Sequence, residues 1–426
     1  MMIDDRRYFL RWLSGMLMLL LLTACSGSSS MGGDEPVPPV NTSSKPMLKI
    51  YVFPPNRPTI TRADVLGNVD ASVEENKIHS LHVWVFERDE SNLPSSLSDS
   101  KLVGYVSMGN LTLSDTGNGE VTMEITSDFA DEIMSNSPPK VDIYVAANVT
   151  SANCGISFAS LTNKGVTTEG ALKDQLIESG YFGVTSPVQG VPADGLPMSG
   201  VLKNQQISGN YPVFRVGTAD HLSNVQLVRA VSKMRFVFCK TSENNDNVTV
   251  NNIILNGGKL PKEEYLFLTD DYSKVTPPKL RVKLSETPVD GDYESEATFF
   301  PSVTDVVANN SPSYYSYDGV MSGQEYENRI NEGVTNGDLS DLGTFYLRES
   351  DQALSGVIKY AITPYGTTTQ NVKTTTSYSM KNAGDFSRNH TWIVYGYFVS
   401  NEILQLNVVE LKSWESSETQ GNLYNW

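Results

Sequence analysis

The sequence predicts an all-β protein built from β-sandwiches, and three observations lead to this prediction. Several segments alternate apolar and polar residues with a period of two, which is typical of strands with one buried face. Clusters of turn-forming residues, such as 116–119 and 256–258, lie between these segments. The chain is rich in Gly, Ser, Thr, Asn, Val and Tyr, and it lacks long runs of Ala, Leu, Glu and Lys, a composition that favours strands over helices. Many short strands joined by polar turns are typical of a β-sandwich.

The alternation is clearest in a small set of segments. In one of them, Leu81, Val83 and Val85 are expected on one face of a strand, and the residues between them on the other face. One short helix is expected near residues 169–180, and residues 302–340 resemble a long exposed loop. The predicted strands are 47–53, 81–86, 141–146, 225–240 and 404–409.

The N-terminal residues predict export and attachment of a lipid. Three arginines accompany an apolar run at residues 10–22, which is too short to span a bilayer and fits a signal peptide. The run ends in Leu22-Thr23-Ala24-Cys25, a lipobox in which small residues precede the cysteine. We therefore predict that residues 1–24 are removed and that Cys25 carries a diacylglyceryl group. The Ser-, Gly- and Pro-rich residues 25–46 are predicted to form a flexible tether.

The length of the remaining chain predicts two domains. After the signal peptide and tether about 380 residues remain, and single cores stop growing at about 250–300 residues. Loop-like residues at 209–212 and 217–220 mark a boundary. The predicted domains are residues 47–220 and residues 221–426.

The charge of the chain excludes one class of partner. The formal net charge is -17. Residues 1–24 carry three Arg and two Asp, a net of +1, so the processed chain stands at -18. An acidic surface repels phosphate backbones, which argues against nucleic-acid binding.

The sequence offers little material for catalysis or metal binding. Its four histidines are His79, His82, His221 and His390, and the first two would point to opposite faces of a strand. No HExxH, CxxC, P-loop or GxSxG pattern occurs. The Asp-Gly-Asp at 290–292 is similar to the start of a calcium loop, but the other ligands of that pattern are missing. We therefore expect no catalytic residue, no metal and no cofactor.

Cys25 is reserved for the lipid, which leaves Cys154 and Cys239. These two cysteines either form a disulfide or are two separate small buried hydrophobic residues. The second interpretation is favoured because nothing in the sequence requires a bridge.

Seven motifs follow one another in order along nearly the whole processed chain. They are Thr61-Arg62 with residues 75–86, Tyr144 to Asn148, Leu196 to Gly200, Leu227 to Met234, Thr344 to Glu349, Arg388-Asn389-His390 with the strand Thr391 to Phe398, and a strand ending at Trp414 before the tail that ends in Trp426. This series resembles the fimbrillins of Bacteroidales, the subunits of type V pili. In the fourth motif, Ser232 stands where the family usually has Ala. The resemblance implies two transthyretin-like β-sandwiches in tandem.

Several residues in these motifs have simple structural interpretations. Arg229 and Lys233 share a strand face and are expected to be charges on the solvent side. The Arg388-Asn389-His390 segment is expected to be a turn that leads into a strand, with His390 in a structural role. Met198-Ser199-Gly200 is expected to pack in the core beside a turn.

The resemblance also implies assembly by strand exchange. In fimbrillins the first strand fills a groove until an arginine-specific protease removes it, and the C-terminal segment of another subunit then replaces it. In this chain the first strand is Met47 to Phe53, and the predicted cleavage site is the Arg62-Ala63 bond. Arg57 is a poorer site because Pro58 follows it.

The predicted donor extends from Leu404 through Trp426. A head-to-tail contact of this kind propagates as a filament, and cleavage also separates the subunit from its lipid. The apolar donor residues are Leu404, Leu406, Val408, Leu411, Trp414, Leu423, Tyr424 and Trp426.

The predicted function is that of a structural subunit of a type V pilus that supports adhesion. The precursor would lie in the outer membrane through its lipid, and the processed form in extracellular fimbriae. Its partners would be other pilus subunits, an arginine-specific protease and a surface ligand of host or bacterial origin. Two alternatives remain open: a tip or accessory adhesin of the same pilus, and an outer-membrane lipoprotein that binds glycans through exposed tyrosines such as Tyr314, Tyr315 and Tyr317.

Overall fold

The fold was analysed in a computed structural model of the chain, which forms two compact units, residues 1–44 and residues 45–426. All strands and helices described below lie in the second unit. The predicted division into residues 47–220 and 221–426 stays a prediction. The structure describes residues 44–53, 73–88, 100–109, 119–135, 137–185, 187–218, 223–269, 281–300, 303–374, 378–379, 386–400, 403–411 and 422–425.

The part of the chain up to Arg229 contributes strands and four short helices in the described segments. The elements are β1 (Met47–Phe53), α1 (Val73–Asn76), β2 (Leu81–Arg88), β3 (Leu102–Met108), β4 (Gly119–Glu124), α2 (Ser127–Ile133), β5 (Lys140–Ala147), α3 (Ser151–Cys154), α4 (Glu169–Lys173), β6 (Leu176–Ile177), β7 (Val188–Gln189), β8 (Met198–Gln205), β9 (Ile207–Asn210), β10 (Val213–Val216), β11 (Asn224–Gln226) and β12 (Val228–Arg229).

The part of the chain from Ser232 onward is also dominated by strands. Its elements are β13 (Ser232–Thr241), β14 (Asn247–Leu255), β15 (Glu263–Tyr265), β16 (Val282–Lys283), β17 (Ala297–Phe300), β18 (Thr304–Asp305), β19 (Ala308–Asn309), α5 (Gly323–Thr335), β20 (Ser340–Leu347), β21 (Ser355–Thr363), β22 (Asn371–Thr374), β23 (Tyr378–Ser379), β24 (Thr391–Ser400), β25 (Ile403–Leu411) and β26 (Asn422–Asn425), with 3-10 turns at Gly257–Lys259, Asp290–Asp292 and Pro312–Tyr315.

Within the described residues, the strands form five sheets. Sheet 1 has the order β11-β1-β10-β9, with β4 also paired to β1, and sheet 2 has the order β12-β8-β5-β2-β3. Sheet 3 has the order β26-β25-β24-β13-β20-β7, with β19 also on β13. Sheet 4 has the order β17-β14-β21-β22, with β18 on β14 and β23 on β21, and sheet 5 is the small sheet β16-β15-β6. The all-β class predicted from the sequence is confirmed.

Apolar side chains of sheets 1 and 2 form one core, and those of sheets 3 and 4 form another. Leu81, Val83 and Val85 all belong to the first core, as their spacing predicted. Their neighbours Trp84 and Phe86 are buried too, in a separate apolar cluster on the opposite face of sheet 2. Sheet 2 is therefore covered on both faces, although period-two alternation predicts only one buried face.

The prediction of one continuous strand over residues 225–240 is wrong. The chain there forms three strands, and each one pairs with a different sheet: β11 with β1, β12 with β8, and β13 with β20 and β24. The breaks are needed because the chain crosses from sheet 1 through sheet 2 to sheet 3. Alternation in sequence cannot reveal such a change of partner.

The predicted helix and the predicted long loop are each corrected in part. The helix begins after Thr168, whose side chain accepts a hydrogen bond from the Ala171 N–H, but it ends at Lys173, and β6 follows at 176–177. Within 302–340 the chain forms α5, whose first turn carries a capping box between Ser322 and Glu325. The helix was missed because its sequence is mostly polar.

Candidate functional site

The first strand lies inside sheet 1, with hydrogen-bonded neighbours along both edges. On one edge, β1 pairs antiparallel with β4 from Met47 to Val52. On the other edge, its first half pairs parallel with β10 and its second half parallel with β11. The Met47 N–H also donates to the Pro212 carbonyl at 2.8 Å. Removing β1 would therefore open a slot with unpaired backbone groups on both sides.

The inward face of β1 is apolar and completely covered. Leu48, Ile50 and Val52 have no exposed surface, which confirms that they share a buried face. They belong to the same core as Val121 of β4 and Phe214 of β10. Burial of each such side chain contributes about 1.5–3 kcal/mol. The slot left by β1 would thus have an apolar floor that another alternating strand could fill.

The outward face of β1 carries charged and polar side chains that pair with β4. The Lys49 ammonium contacts one carboxylate oxygen of Glu120 at 2.6 Å, and the Tyr51 hydroxyl donates to the other at 2.9 Å. The Lys45 ammonium lies 2.8 Å from a carboxylate oxygen of Glu124. The hydrogen bond from Lys49 is the main reason that the pKa of Glu120 is lowered. These contacts fix the register of β1 from the solvent side.

Three residues of the predicted processing sites lie outside the described residues. These are Cys25, the lipid attachment site, and Arg62 and Ala63, which flank the predicted cleavage site. The described part of the chain ends at Phe53 and resumes at Val73. The predicted cleavage site thus lies in the connection that follows β1, as a cut that releases β1 requires.

The predicted donor residues divide into two groups. Leu406, Val408 and Leu411 are buried in β25, which pairs with β24 on one side and with β26 on the other. Leu404 is partly buried against the same core. Donation of β25 would therefore remove a central strand of sheet 3. Leu423 and Tyr424 lie in β26, at the end of the strand order of that sheet, while Trp414 and Trp426 lie outside the described residues.

Arg229 and Lys233 are not solvent-side charges, so that expectation is wrong. The Arg229 guanidinium is buried and donates to the side chains of Asn76 at 2.6 Å and Asn389 at 2.9 Å. The Lys233 ammonium lies 3.1 Å from Glu75 and 3.0 Å from Glu327. Burial lowers the pKa of Lys233, but the two carboxylates outweigh burial and the pKa is raised. Side chains of α1 contact both Arg229 of β12 and Lys233 of β13, and α5 contacts Lys233. Neither helix is near these strands in sequence.

A second buried arginine joins segments from before and after residue 220. The Arg348 guanidinium forms an ion pair with Glu294 and donates to the carbonyls of Tyr181, Glu178 (3.2 Å) and Pro261 (2.9 Å). Both charged side chains are almost completely buried. Arg348 belongs to a motif of the sequence series, but no spacing in the sequence points to its partners.

The Arg388 side chain completes this group of buried charges. It contacts Glu349 at 2.5 Å and donates to the carbonyls of Tyr265 and Leu266 at 2.7 and 2.9 Å. The Glu349 N–H donates to the Glu264 carboxylate at 2.8 Å, and burial raises the pKa of Glu264 to about 8. We call Glu264, Glu294, Arg348, Glu349 and Arg388 the junction cluster. The turn predicted at residues 388–390 is thus an anchor between segments as well as a turn.

Three other residues that the sequence analysis singled out, His390, Cys154 and Cys239, are buried in the fold. His390 is buried, and its Nδ1 lies 2.8 Å from a carboxylate oxygen of Glu410. Cys154 and Cys239 are free and buried in different apolar clusters, as favoured from the sequence, and burial raises the pKa of both thiols. In the described ranges, no group of three or more His, Cys, Asp or Glu could hold a metal ion. No described helix is long and apolar enough to cross a membrane.

The three tyrosines considered for glycan binding do not form an exposed platform. Tyr315 and Tyr317 are buried, with 5% and 2% of their surface exposed. Tyr314 is half exposed, and the Arg329 guanidinium lies 4.5 Å from the centre of its ring. One face of the exposed ring is therefore already occupied.

Comparison with known proteins was made at the level of sequence and of structure. Residues 58–256 match the family described as "Major fimbrial subunit protein (FimA)". None of the curated proteins matches the chain.

Three of the solved structures that are similar to the chain are the following. A proposed cell adhesion protein from Bacteroides eggerthii is 14% identical, with a TM-score of 0.45, covering 86% of this chain and 96% of that one. A fimbrial assembly protein from Parabacteroides distasonis is 13% identical, with a TM-score of 0.43 and coverage of 89% and 98%. The tip fimbrial protein Mfa3 from Porphyromonas gingivalis, with a C-terminal truncation, is 12% identical, with a TM-score of 0.41 and coverage of 87% and 100%.

The family match begins just before the predicted cleavage site and covers all strands from β2 to β14. It supports a structural or adhesive role in a pilus. Residues 58–256 match the major fimbrial subunit family, and this match confirms the resemblance of the chain to the fimbrillins of Bacteroidales.

Proposed function

We propose that this chain is a structural subunit of a type V pilus and that β1 is the strand replaced during assembly. The observation that carries the proposal is the position of β1, a strand with a fully apolar inward face that is inserted between β4 and the pair β10 and β11. It is the first strand of the second compact unit, so a single cut behind it separates it from the rest of that unit.

The proposed route begins at the membrane. Export through the signal peptide 1–24 and attachment of lipid to Cys25 would hold the precursor at the outer membrane, with β1 filling its own groove. Cleavage at Arg62-Ala63 by an arginine-specific protease would then free β1 together with the lipid. A strand from another subunit would take its place and restore the backbone pairing.

The donor is best confined to the terminal segment 412–426. Residues of β25 are buried between two neighbouring strands, and their removal would open the core that sheets 3 and 4 share. The strand β26 pairs with β25 through four residues only, from Asn422 to Asn425. Its detachment would leave the rest of sheet 3 paired.

Limited proteolysis tests this proposal. Residues 26–426 are digested briefly with trypsin, and the products are analysed by intact mass, N-terminal sequencing and size. We expect one preferred cut at Arg62-Ala63 and a product that forms SDS-resistant ladders, whereas Arg62→Gln should resist the cut. The absence of any preferred cut between Arg57 and Arg62 would contradict removal of the first strand.

A locked variant separates cleavage from strand release. Tyr51 and Glu120 face each other directly on antiparallel strands, so Tyr51→Cys with Glu120→Cys can tie β1 to β4. The locked chain should be cut normally but should form ladders only after reduction. Ladders from the cut, oxidised chain would show that β1 does not have to leave.

The two alternatives make different predictions. A tip or accessory subunit would be cut and would accept a strand, but it would form no ladders by itself. A glycan-binding lipoprotein would give a saturable signal with oligosaccharides, and the burial of Tyr315 and Tyr317 gives this alternative no support.

A further inference from the structure

On its β4 side, the slot that β1 occupies is bordered by two acidic side chains. Glu120 and Glu124 stand on the outward face of β4, and we call them the acidic rim. In the folded chain they are neutralised by β1 itself and the residue just before it: Lys49 and Tyr51 bind Glu120, and Lys45 binds Glu124. Both lysines and Tyr51 leave together with β1.

The opposite side of the slot does not replace them. Across β1, the nearest cation is Arg215 of β10, which is exposed and pairs in register with Lys49. It lies on the far edge of β1, one strand further from β4. Its attraction is a minor contribution to the lowered pKa of Glu120, while the hydrogen bond from Lys49 is the largest. Glu124 has one further cation nearby, Lys164, whose ammonium donates to the Glu124 carbonyl at 2.7 Å and adds a minor attraction. After β1 departs, both carboxylates therefore lose the lysines that bind them directly and keep only these weaker attractions.

The donor segment of this chain does not fit such a rim. From residue 404 to residue 426 the sequence contains one cation, Lys412, and three acidic residues, Glu410, Glu415 and Glu418. Within the terminal segment 412–426 the count is one cation to two acids. Apart from Lys412, the charged residues that a strand from a second copy could bring to the rim are acidic. Like charges that face each other across strands are unfavourable.

We infer that the slot vacated by β1 selects a strand from a different subunit, with apolar residues on its inward face and Lys or Arg on its outward face opposite Glu120 and Glu124. A second copy of this chain would be a weaker donor than such a strand, so the cut chain forms ladders by itself but takes the better-matched strand when that strand is present. The inference rests on the proposed function and deepens it, because it names the kind of partner. Apolar residues supply most of the affinity, and the charged rim supplies the choice between partners.

Peptide binding to the cleaved protein tests the inference. The full chain is cut behind β1, the protease is inhibited, and a labelled peptide of residues 45–53 (KPMLKIYVF) is added in excess as a stand-in for the donor. A second peptide carries Lys45→Glu and Lys49→Glu, and a third is residues 412–426 of this chain. Binding is measured by fluorescence anisotropy, with the uncut chain as a control that should bind none of them.

We expect the natural peptide to bind about tenfold more tightly than the charge-reversed one, since exposed pairs and repulsions of this kind change affinity by small factors. The protein with Glu120→Lys and Glu124→Lys should reverse this preference, which a merely structural role of the rim would not do. The 412–426 peptide should bind more weakly than the 45–53 peptide to the unaltered protein. Its affinity should be higher for the protein with Glu120→Lys and Glu124→Lys.

The outcomes separate the inference from the proposed function. If both 45–53 peptides bind equally, or the reversed protein keeps the original preference, selection by the acidic rim is wrong while strand exchange stands. If the 412–426 peptide binds as tightly as the 45–53 peptide, a second copy is an adequate donor and the inference is overturned. If no peptide binds to the cleaved protein, strand exchange itself is wrong and the inference with it.

Discussion

The strand β1 and the junction cluster are both central to the fold, but they are held by different kinds of contact. The inward face of β1 is purely apolar, and its charged contacts lie on the surface, where the side chains of Lys49 and Glu120 are 27% and 39% exposed. In the junction cluster the charges themselves are buried, with Arg348 at 0% and Glu294 at 2% side-chain exposure.

This difference determines which part of the fold another strand can replace. An apolar face and a row of backbone groups can be matched by any strand with the same alternation, so β1 can be replaced without loss of the core. A buried guanidinium needs specific carboxylates and carbonyls at fixed positions, and removal of one partner leaves an uncompensated charge. Under the proposed function, β1 is the strand that is replaced, and the junction cluster is the part of the fold that stays intact while this happens.

The largest effect is expected when the junction cluster is broken. Arg348→Met leaves Glu294 buried without its cation, which should lower the free energy of unfolding by about 3–5 kcal/mol. Urea denaturation measures the loss, and Arg215→Met on the exposed face of β10 is the matched control, with an expected change below about 0.5 kcal/mol. A loss below about 1 kcal/mol for Arg348→Met would remove the contrast between the two regions.

A cavity under β1 should have the next largest effect. Ile50→Ala removes part of a fully buried side chain and should lower the free energy of unfolding by about 2–5 kcal/mol. After cleavage it should also speed the release of β1, because fewer apolar contacts retain the strand. Release is followed by the exchange of a labelled 45–53 peptide. Lys49→Met, on the outward face of the same strand, is the control and should leave the core unchanged.

Such a variant could also reveal that β1 is not independent of the rest of the sheet. If Ile50→Ala destabilises the uncut chain but leaves the exchange rate unchanged, release of β1 is limited by something other than its apolar contacts. The strand β1 and the junction cluster would then differ in their position in the fold and not in the kind of contact that holds them.

The charge of Glu264 should make the junction cluster sensitive to pH. Burial raises the pKa of Glu264 to about 8 from 4.5, so the folded chain holds a proton that the unfolded chain releases above pH 4.5. Stability should therefore fall as the pH rises from about 5 to 8, by about 1 kcal/mol between pH 6 and pH 7. Glu264→Gln should flatten this slope, and Glu263→Gln, its half-buried neighbour in β15, should not. Equal slopes in both variants would exclude Glu264 as the titrating group.

The sequence predicted the position of β1 better than the surroundings of the buried charges. The alternation of Leu48, Ile50 and Val52 was sufficient to place β1 and its buried face, because that pattern depends on local geometry alone. Arg229 and Lys233 carry an equally clear alternation, but it suggested the solvent side. Their burial depends on α1 and α5, which are distant in sequence, and a strand pattern contains no information on what covers its polar face.

The same limit applies to the junction cluster and to the donor. Arg348 and Arg388 were found as parts of motifs, yet no spacing that a single sequence displays connects Arg348 with Glu294 or Arg388 with Glu349. The apolar residues of β25 satisfied the pattern of a donor strand equally well as that of a central strand. Only the pairing of β25 with β24 and β26 favours the second interpretation.

The smallest effect is expected at the surface contacts of β1, and it tests whether these contacts serve stability or choice of partner. Glu120→Gln removes an exposed ion pair and should change the free energy of unfolding by about 0.2–1 kcal/mol. The pKa of Glu120 is lowered in the folded chain, so the contribution is present above the ordinary value of 4.5 and is lost as the pH falls through the lowered pKa. Denaturation of the variant and the unaltered chain in low and high salt checks this, since screening should erase the difference. A loss of several kcal/mol that persists in high salt would mean that Glu120 holds β1 in place as firmly as the apolar face does, and the division between a replaceable strand and a permanent junction would have to be abandoned.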